Sequence, residues 1–150
     1  EKGVLVVYAS MYGNTEKAAQ SLASALCEKG MTNVAVYDIS NTDVSYIVAE
    51  AFKYSHIVLA SVTYNLNIYP KMYDFLHHLK MLNFQKRTFG IIENGTWAIK
   101  SGSLMKDFID ENFRESLVLG SQVSVNSSPN ESNAKEIDNL ADSLIESMKK

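Results

Sequence analysis

Short apolar, β-branched runs alternate five times with stretches of helical periodicity, and no other feature of this chain limits its fold so tightly. Val4–Ala9 precedes a helical pattern that reaches about Lys29, Val34–Ile39 precedes Val44–Lys53, and Ile57–Val62 precedes Lys71–Leu82. The series continues with Thr88–Ile92, a helix from about Leu104 to Phe113, a last strand within Leu117–Val125, and a helix from about Ala134 to Met148. Strands that are apolar at nearly every position need cover on both faces, and intervening helices supply the long crossovers that parallel pairing requires. The alternation therefore predicts an α/β domain whose parallel sheet carries helices on both sides.

Local chemistry supports these boundaries. Pro70 stands where a first helical residue tolerates the missing N–H, ahead of Met72, Phe75, Leu76 and Leu79 at helical spacing. Gly30 follows the first helix at the position that favours a left-handed backbone. Asn133 and Glu136 have the spacing of a capping box before Ile137, Leu140, Ala141, Leu144, Ile145 and Met148. The segment Asn126-Ser127-Ser128-Pro129-Asn130 reads as a loop rather than a linker, and no repeat divides the chain, so residues 1–150 form one expected domain. The chain opens at Glu1, without Met and directly ahead of a strand, which gives the expectation of a domain excised from a longer protein.

Composition narrows the classes of function. Fourteen Lys and Arg against 17 Asp and Glu leave a net charge of −3 with no run of like charges, which speaks against nucleic acid as a partner. The apolar runs fall well short of the roughly 18 residues a spanning helix needs, so the expectation is a soluble, cytoplasmic protein without a membrane partner. Cys27 is the only cysteine, which excludes an internal disulfide and a cysteine-based zinc cluster. It lies among Ala and Leu residues of the first helix and reads as a small buried hydrophobe. His77 and His78 are about 100° apart on one helix and lack a Glu-x-x-His partner pattern, and His56 opens a strand by itself; no metal site is expected.

The loop after the first strand, Ser10-Met11-Tyr12-Gly13-Asn14-Thr15, invites a ligand. In open parallel sheets the binding crevice lies beyond the carboxyl ends of the strands. A helix starting near Thr15 aims unpaired N–H groups at this loop, Ser10, Asn14 and Thr15 add polar side chains, and Gly13 permits close approach. No Lys follows Gly13 as a triphosphate loop would require, and one glycine does not make a dinucleotide fingerprint. The loop suits a single terminal phosphate, although the same residues also make turns and helix caps, and spacing alone leaves both readings open.

Two other strand ends have a common character. Ser61-Val62-Thr63-Tyr64-Asn65 and Asn94-Gly95-Thr96-Trp97 each place one large aromatic among small polar groups on the edge that carries the first loop. A flat conjugated ring needs apolar faces to stack on and polar groups at its rim. Tyr64 and Trp97 could provide those faces; taken singly, each is as readily a packing residue. The end of the first strand, Val6-Val7-Tyr8-Ala9-Ser10, lacks the clustered acidic residues that a magnesium-dependent receiver domain of this topology would need.

At these three strand ends, "SMYGNTEKAA", "TYN" and "GTW" resemble the phosphate loop and the two isoalloxazine loops of flavodoxins, which bind flavin mononucleotide (FMN). More narrowly, Tyr37–Ile47, Thr63–Leu79 and a loop tryptophan resemble the flavodoxin-like domain of flavodiiron proteins, also called A-type flavoproteins. The resemblance covers essentially the whole chain and implies a flavodoxin-like three-layer sandwich with strand order 2-1-3-4-5. It also implies that Ser10, Met11, Tyr12, Gly13, Asn14 and Thr15 enclose the FMN phosphate. Ser61, Thr63, Tyr64 and Asn65 would line one side of the ring, and Asn94, Gly95, Thr96 and Trp97 the other.

The implied function is electron transfer by FMN, with no catalytic side chain of the domain's own. In flavodiiron proteins such a domain serves a diiron domain that reduces oxygen or nitric oxide; the implied partners are that domain, a rubredoxin-like or NADH-dependent donor, and a homodimer formed through the parent protein. The alternatives are a free-standing flavodoxin shuttle and an interaction module that has lost FMN. Glu93 departs from the family, whose third loop usually has glycine there. A carboxylate turned toward a bound ring would lower its reduction potential.

Overall fold

The computed structural model describes residues 2–9, 14–64, 67–94, 101–120, 122–125 and 131–149. In chain order the elements are β1 (Val4–Ala9), α1 (Asn14–Glu28), β2 (Val34–Asp38), α2 (Val44–Ala51), β3 (His56–Tyr64), β4 (Asn67–Ile68) and α3 (Pro70–Met81). There follow β5 (Thr88–Asn94), α4 (Ser101–Asn112), β6 (Leu117–Val118), β7 (Val123–Val125) and α5 (Glu131–Met148). The parallel sheet runs β2-β1-β3-β5-β6, and β7 continues alongside β5. With β6 and β7 as one interrupted strand, this is the expected order 2-1-3-4-5.

Two apolar layers hold the sheet. Leu5, Val7, Ile57, Leu59, Phe89 and Ile91 point to one face, against α2, α3 and α4. Val4, Val6, Val58 and Ile92 point to the other, against Leu22 and Leu26 of α1 and Leu140 and Leu144 of α5. Each such aliphatic side chain contributes about 1.5–3 kcal/mol when fully buried, so β1, buried along its entire length, is the axis of the fold. At the rim, Lys29 bridges to Asp138 and Asp142 of α5, both at 3.0 Å. Being exposed, these pairs orient α1 and α5 more than they stabilise them.

The structure departs from the sequence expectations in four places. The last strand is split: Thr88 pairs with Leu117 and Ile92 with Val123, so four steps along β5 match six along its neighbour. The even insertion keeps the side-chain parity, so both halves keep the same facing. Secondly, β3 turns back on itself, with Thr63 opposite Ile68 and Tyr64 opposite Asn67, in a short antiparallel pair that apolar periodicity did not reveal.

The remaining two are corrections of single residues. Cys27 is exposed, not buried, because the buried stripe of α1 runs through Ala18, Ala19, Leu22 and Leu26 and leaves Cys27 one residue outside it. Asn133 is no capping-box residue: α5 begins at Glu131, and the Asn133 amide donates to the Ser124 carbonyl at 2.7 Å and to Glu136 at 2.9 Å. Buried at the end of β7, its amide satisfies strand backbone. The Pro70 start with Tyr69 as N-cap holds, as does the helix stop at Gly30, with φ +97°.

Candidate functional site

The carboxyl ends of β1, β3 and β5 lie side by side, with Ala9 opposite Ser61 and Val62 opposite Asn94. Helices α1 and α4 both begin at this edge, so their positive ends converge on it. Thr15, in the first turn of α1, is 1% exposed, and Ser61 is wholly buried. Asn14 opens α1, Thr63 and Tyr64 close β3, and Asn94 closes β5, so the backbone brings the three expected loop positions to one edge. Ser10, Met11, Tyr12, Gly13, Asn65, Gly95, Thr96 and Trp97 lie outside the described residues.

Glu93 is the feature that the sequence left undecided. Its register neighbours are Ser61 on β3 and Ser124 on β7, so it occupies a row of small polar residues across the sheet. The side chain is 5% exposed and turns under α4, where Oε1 accepts from the Gly102 N–H at 2.7 Å and Oε2 accepts from the Ser124 hydroxyl at 3.2 Å. Burial pushes the carboxyl above its ordinary range, and the two hydrogen bonds act in the opposite sense. The helix end itself adds a favourable positive potential. A side chain at position 102 would collide with Glu93 Oε1 and with the Gln122 amide, so glycine there lets the carboxylate reach the backbone.

Tyr8 and Glu16 complete the described rim. Burial first, then the charges of Asp38 and Glu16 and a hydrogen bond to Glu16, push the Tyr8 hydroxyl up to about 12. The acidic residue of the first turn of α1 is thus bound to a neutral phenol. Sequence reasoning named Glu93 as a departure and missed its partners; the small run Ser101-Gly102-Ser103 was the available signal. It was not read as helix, yet α4 starts at Ser101, three residues ahead of the expected Leu104.

The flavodoxin family profile matches residues 6–118, three quarters of the chain. The chain belongs to the flavodoxin family. The coenzyme F420H2 oxidase of Methanothermobacter marburgensis is 31% identical over 86 residues, which are 57% of this chain and 21% of that protein. The chain spans about a fifth of the length of the curated relatives it matches. Among solved structures, the rubredoxin oxygen:oxidoreductase of Desulfovibrio gigas superposes with a TM-score of 0.90 at 23% identity, over 99% of this chain and 36% of that one. A flavodoxin from the domain Archaea superposes with a TM-score of 0.84 at 19% identity, over the full length of both chains. At these identities the superpositions speak for the fold.

Membership of the flavodoxin family implies a flavin cofactor, typically FMN. The described residues fit one. The N-terminus of α1, with Thr15 buried in its first turn, suits a phosphate, and two acidic groups of this edge are engaged, Glu16 by Tyr8 and Glu93 by Gly102 and Ser124. No metal-binding cluster occurs among the described residues, and none of their helices is long and apolar enough to cross a membrane.

Proposed function

We propose that this domain binds FMN at the carboxyl edge of its sheet and carries electrons to a diiron oxygen- or nitric-oxide-reducing domain of a parent protein. The observation that carries the reading is the convergence of the α1 N-terminus, with its buried Thr15, on the adjacent ends of β1, β3 and β5. The flavin, when bound, supplies the redox chemistry; the protein supplies the phosphate grip, the ring contacts and the local charge. In this reading Ser10 to Thr15 hold the phosphate. Ser61, Thr63, Tyr64 and Asn65 flank one side of the ring, and Asn94, Gly95, Thr96 and Trp97 the other.

The parent architecture is supported by the length of the relatives and by the likeness to an oxygen-reducing oxidoreductase whose partner is rubredoxin. A stand-alone shuttle is the second reading, favoured by the full-length likeness to an archaeal flavodoxin. The coding sequence around the domain separates the two: an upstream metallo-β-lactamase-like domain with its metal ligands supports the first, and a start codon directly before Glu1 supports the second.

The FMN reading is tested by titrating cofactor-free protein with FMN and following flavin fluorescence, then reducing the complex stepwise without oxygen. Binding at micromolar concentration or below, with reversible bleaching of the visible bands, is the expected result. Thr15→Val, which keeps the shape and removes the hydroxyl, should weaken FMN about tenfold, the loss of one charge-assisted hydrogen bond. No binding by the unaltered protein would leave an interaction module with a flavodoxin fold.

A further inference from the structure

A cavity of about 200 Å³ opens at the amino edge of the sheet, between the connection from α3 to β5 and the segment that follows α4. Its lining is Asn83, Phe84, Gln85, Asn112 and Arg114, which makes one guanidinium, three carboxamides, one ring and no acidic group. The two connections are fastened to each other. The Lys86 N–H donates to the Arg114 carbonyl at 2.9 Å, the Arg87 N–H to the Ser116 hydroxyl at 3.2 Å, and the Leu117 N–H to the Arg87 carbonyl at 3.0 Å. The walls are thus set before anything enters, which lowers the ordering cost of binding. Lys86 and Glu115, each next to a lining residue, have φ of 59° and 53°. That backbone costs about 1–2 kcal/mol for a side chain of this kind and persists where its surroundings fix it.

The fold leaves the polar groups of this lining open. The Asn83 and Gln85 carboxamides and the Arg114 guanidinium have no partner among the described residues, and Asn112 uses one amide N–H on the Phe108 carbonyl at 2.9 Å. Behind the lining, the Arg87 guanidinium stacks on Phe84 at 4.8 Å and donates to the Gln85 and Phe52 carbonyls, with its Nε buried and unpartnered. Neither arginine meets a carboxylate among the described residues, although acidic side chains outnumber basic ones in the chain by 17 to 14. The carbonyls of His78, Leu79 and Lys80 in α3 and of Phe108 and Ile109 in α4, whose partial charge would disfavour an anion, already accept hydrogen bonds. We propose that this cavity binds a small organic carboxylate, held by the Arg114 guanidinium with the three carboxamides around it. The guanidinium fork matches a planar carboxylate, and the volume, that of about six water molecules, has room for an acid of four or five carbons. The site shares no residue with the carboxyl edge and goes beyond the FMN reading.

The test titrates the unaltered protein with succinate at constant ionic strength and follows the backbone amide resonances. Saturable shifts centred on residues 83–87 and 112–116, with a dissociation constant of about 1 mM or below, are the expected result. Succinamide, the neutral analogue, and inorganic phosphate, a tetrahedral anion, are titrated alongside and should bind at least about tenfold more weakly. Arg114→Gln should weaken succinate at least about tenfold, and Arg114→Lys, which keeps the charge and loses the fork, should recover only part of that loss. Arg114 is exposed, so both variants should fold, and unchanged amide resonances in α5 check that they do. Absence of saturation at about 50 mM succinate would overturn the proposal. So would succinamide binding equal to succinate, or full affinity in Arg114→Gln. Phosphate binding as tightly as succinate would overturn it in favour of an unselective anion patch.

Discussion

Both edges of the sheet bury a titratable side chain, His56 at one and Glu93 at the other, and they use it differently. At the amino edge His56, 5% exposed, lies between the Ser55 hydroxyl at 2.6 Å and the Ser147 hydroxyl at 2.7 Å. Its partners belong to the turn before β3 and the last turn of α5, and the turn before β3 also holds Gly3. At the carboxyl edge Glu93, equally buried, faces the N–H groups of a helix start. Burial opposes the charged form of both, lowering the His56 imidazole and raising the Glu93 carboxyl. Burial and hydrogen bonding are therefore the same at a structural edge and at a candidate binding edge. What separates them is position in the α/β topology, because only the carboxyl edge collects helix N-termini and the loops that leave the strands.

The largest expected effect breaks the comparison at its glycines. Gly102→Ala drives a methyl group into Glu93 Oε1 and the Gln122 amide, so both side-chain ends must move. The carboxylate would have to leave its N–H donor, so chemical denaturation should show a loss of about 2–3 kcal/mol, in spite of the better helix propensity of alanine. Gly3→Ala at the amino edge meets the exposed Asn33 side chain, which can swing aside, and also the Asn33 carbonyl, which accepts from the Val4 N–H and cannot, so the backbone must shift and the loss should be of similar size, about 1–3 kcal/mol. A Gly102→Ala variant as stable as the unaltered protein would mean that the Glu93 carboxylate leaves its N–H donor at no cost.

Most of the fold was legible because it depends on apolar periodicity. Runs such as Val4–Ala9 and Ile57–Val62 have one solution in a doubly covered sheet, and the structure adopts it. The edges were less legible, because they are set by contacts between distant residues. Nothing near Glu93 in sequence announces Ser124, which comes 31 residues later, and the two-residue insertion between β6 and β7 that brings Ser124 level with it has no periodic signature. Cys27 failed for a related reason: it directly follows Leu26 in the Ala- and Leu-rich second half of α1, and only the packing on the sheet and α5 shows which stripe is covered. The expected ring contacts of Tyr64 and Trp97 remain an expectation from spacing and family resemblance, since Trp97 lies outside the described residues.

The second effect sharpens the amino edge. A lowered histidine pKa means that the unfolded chain takes up its proton first. His56 therefore contributes stability above about pH 6.5, and that contribution declines as pH falls from there toward the folded value. His56→Gln should be less stable than the unaltered protein by about 1–2 kcal/mol at pH 8, through the loss of packing and of one of the two hydroxyl contacts. Melting curves of the two proteins should converge as the pH is lowered toward 5. A constant gap between them would show that His56 titrates alike in both states.

The smallest effect has the opposite sign and isolates the carboxyl edge. A raised carboxyl pKa means that the folded chain holds its proton more tightly than the unfolded one. The stability Glu93 contributes is then greatest below the unfolded value of about 4.3 and is lost as pH rises through the folded value. Glu93→Gln keeps both hydrogen-bonding positions and has no proton to lose. The stability of the unaltered protein relative to this variant should therefore fall as pH rises from 4 toward neutrality, the reverse of the His56 comparison. Above the folded value of Glu93 the difference should become constant, with the glutamine variant the more stable. A difference that grows with pH would mean that the Gly102 and Ser124 donors outweigh burial, and that the carboxylate rests at the start of α4 as a favoured anion.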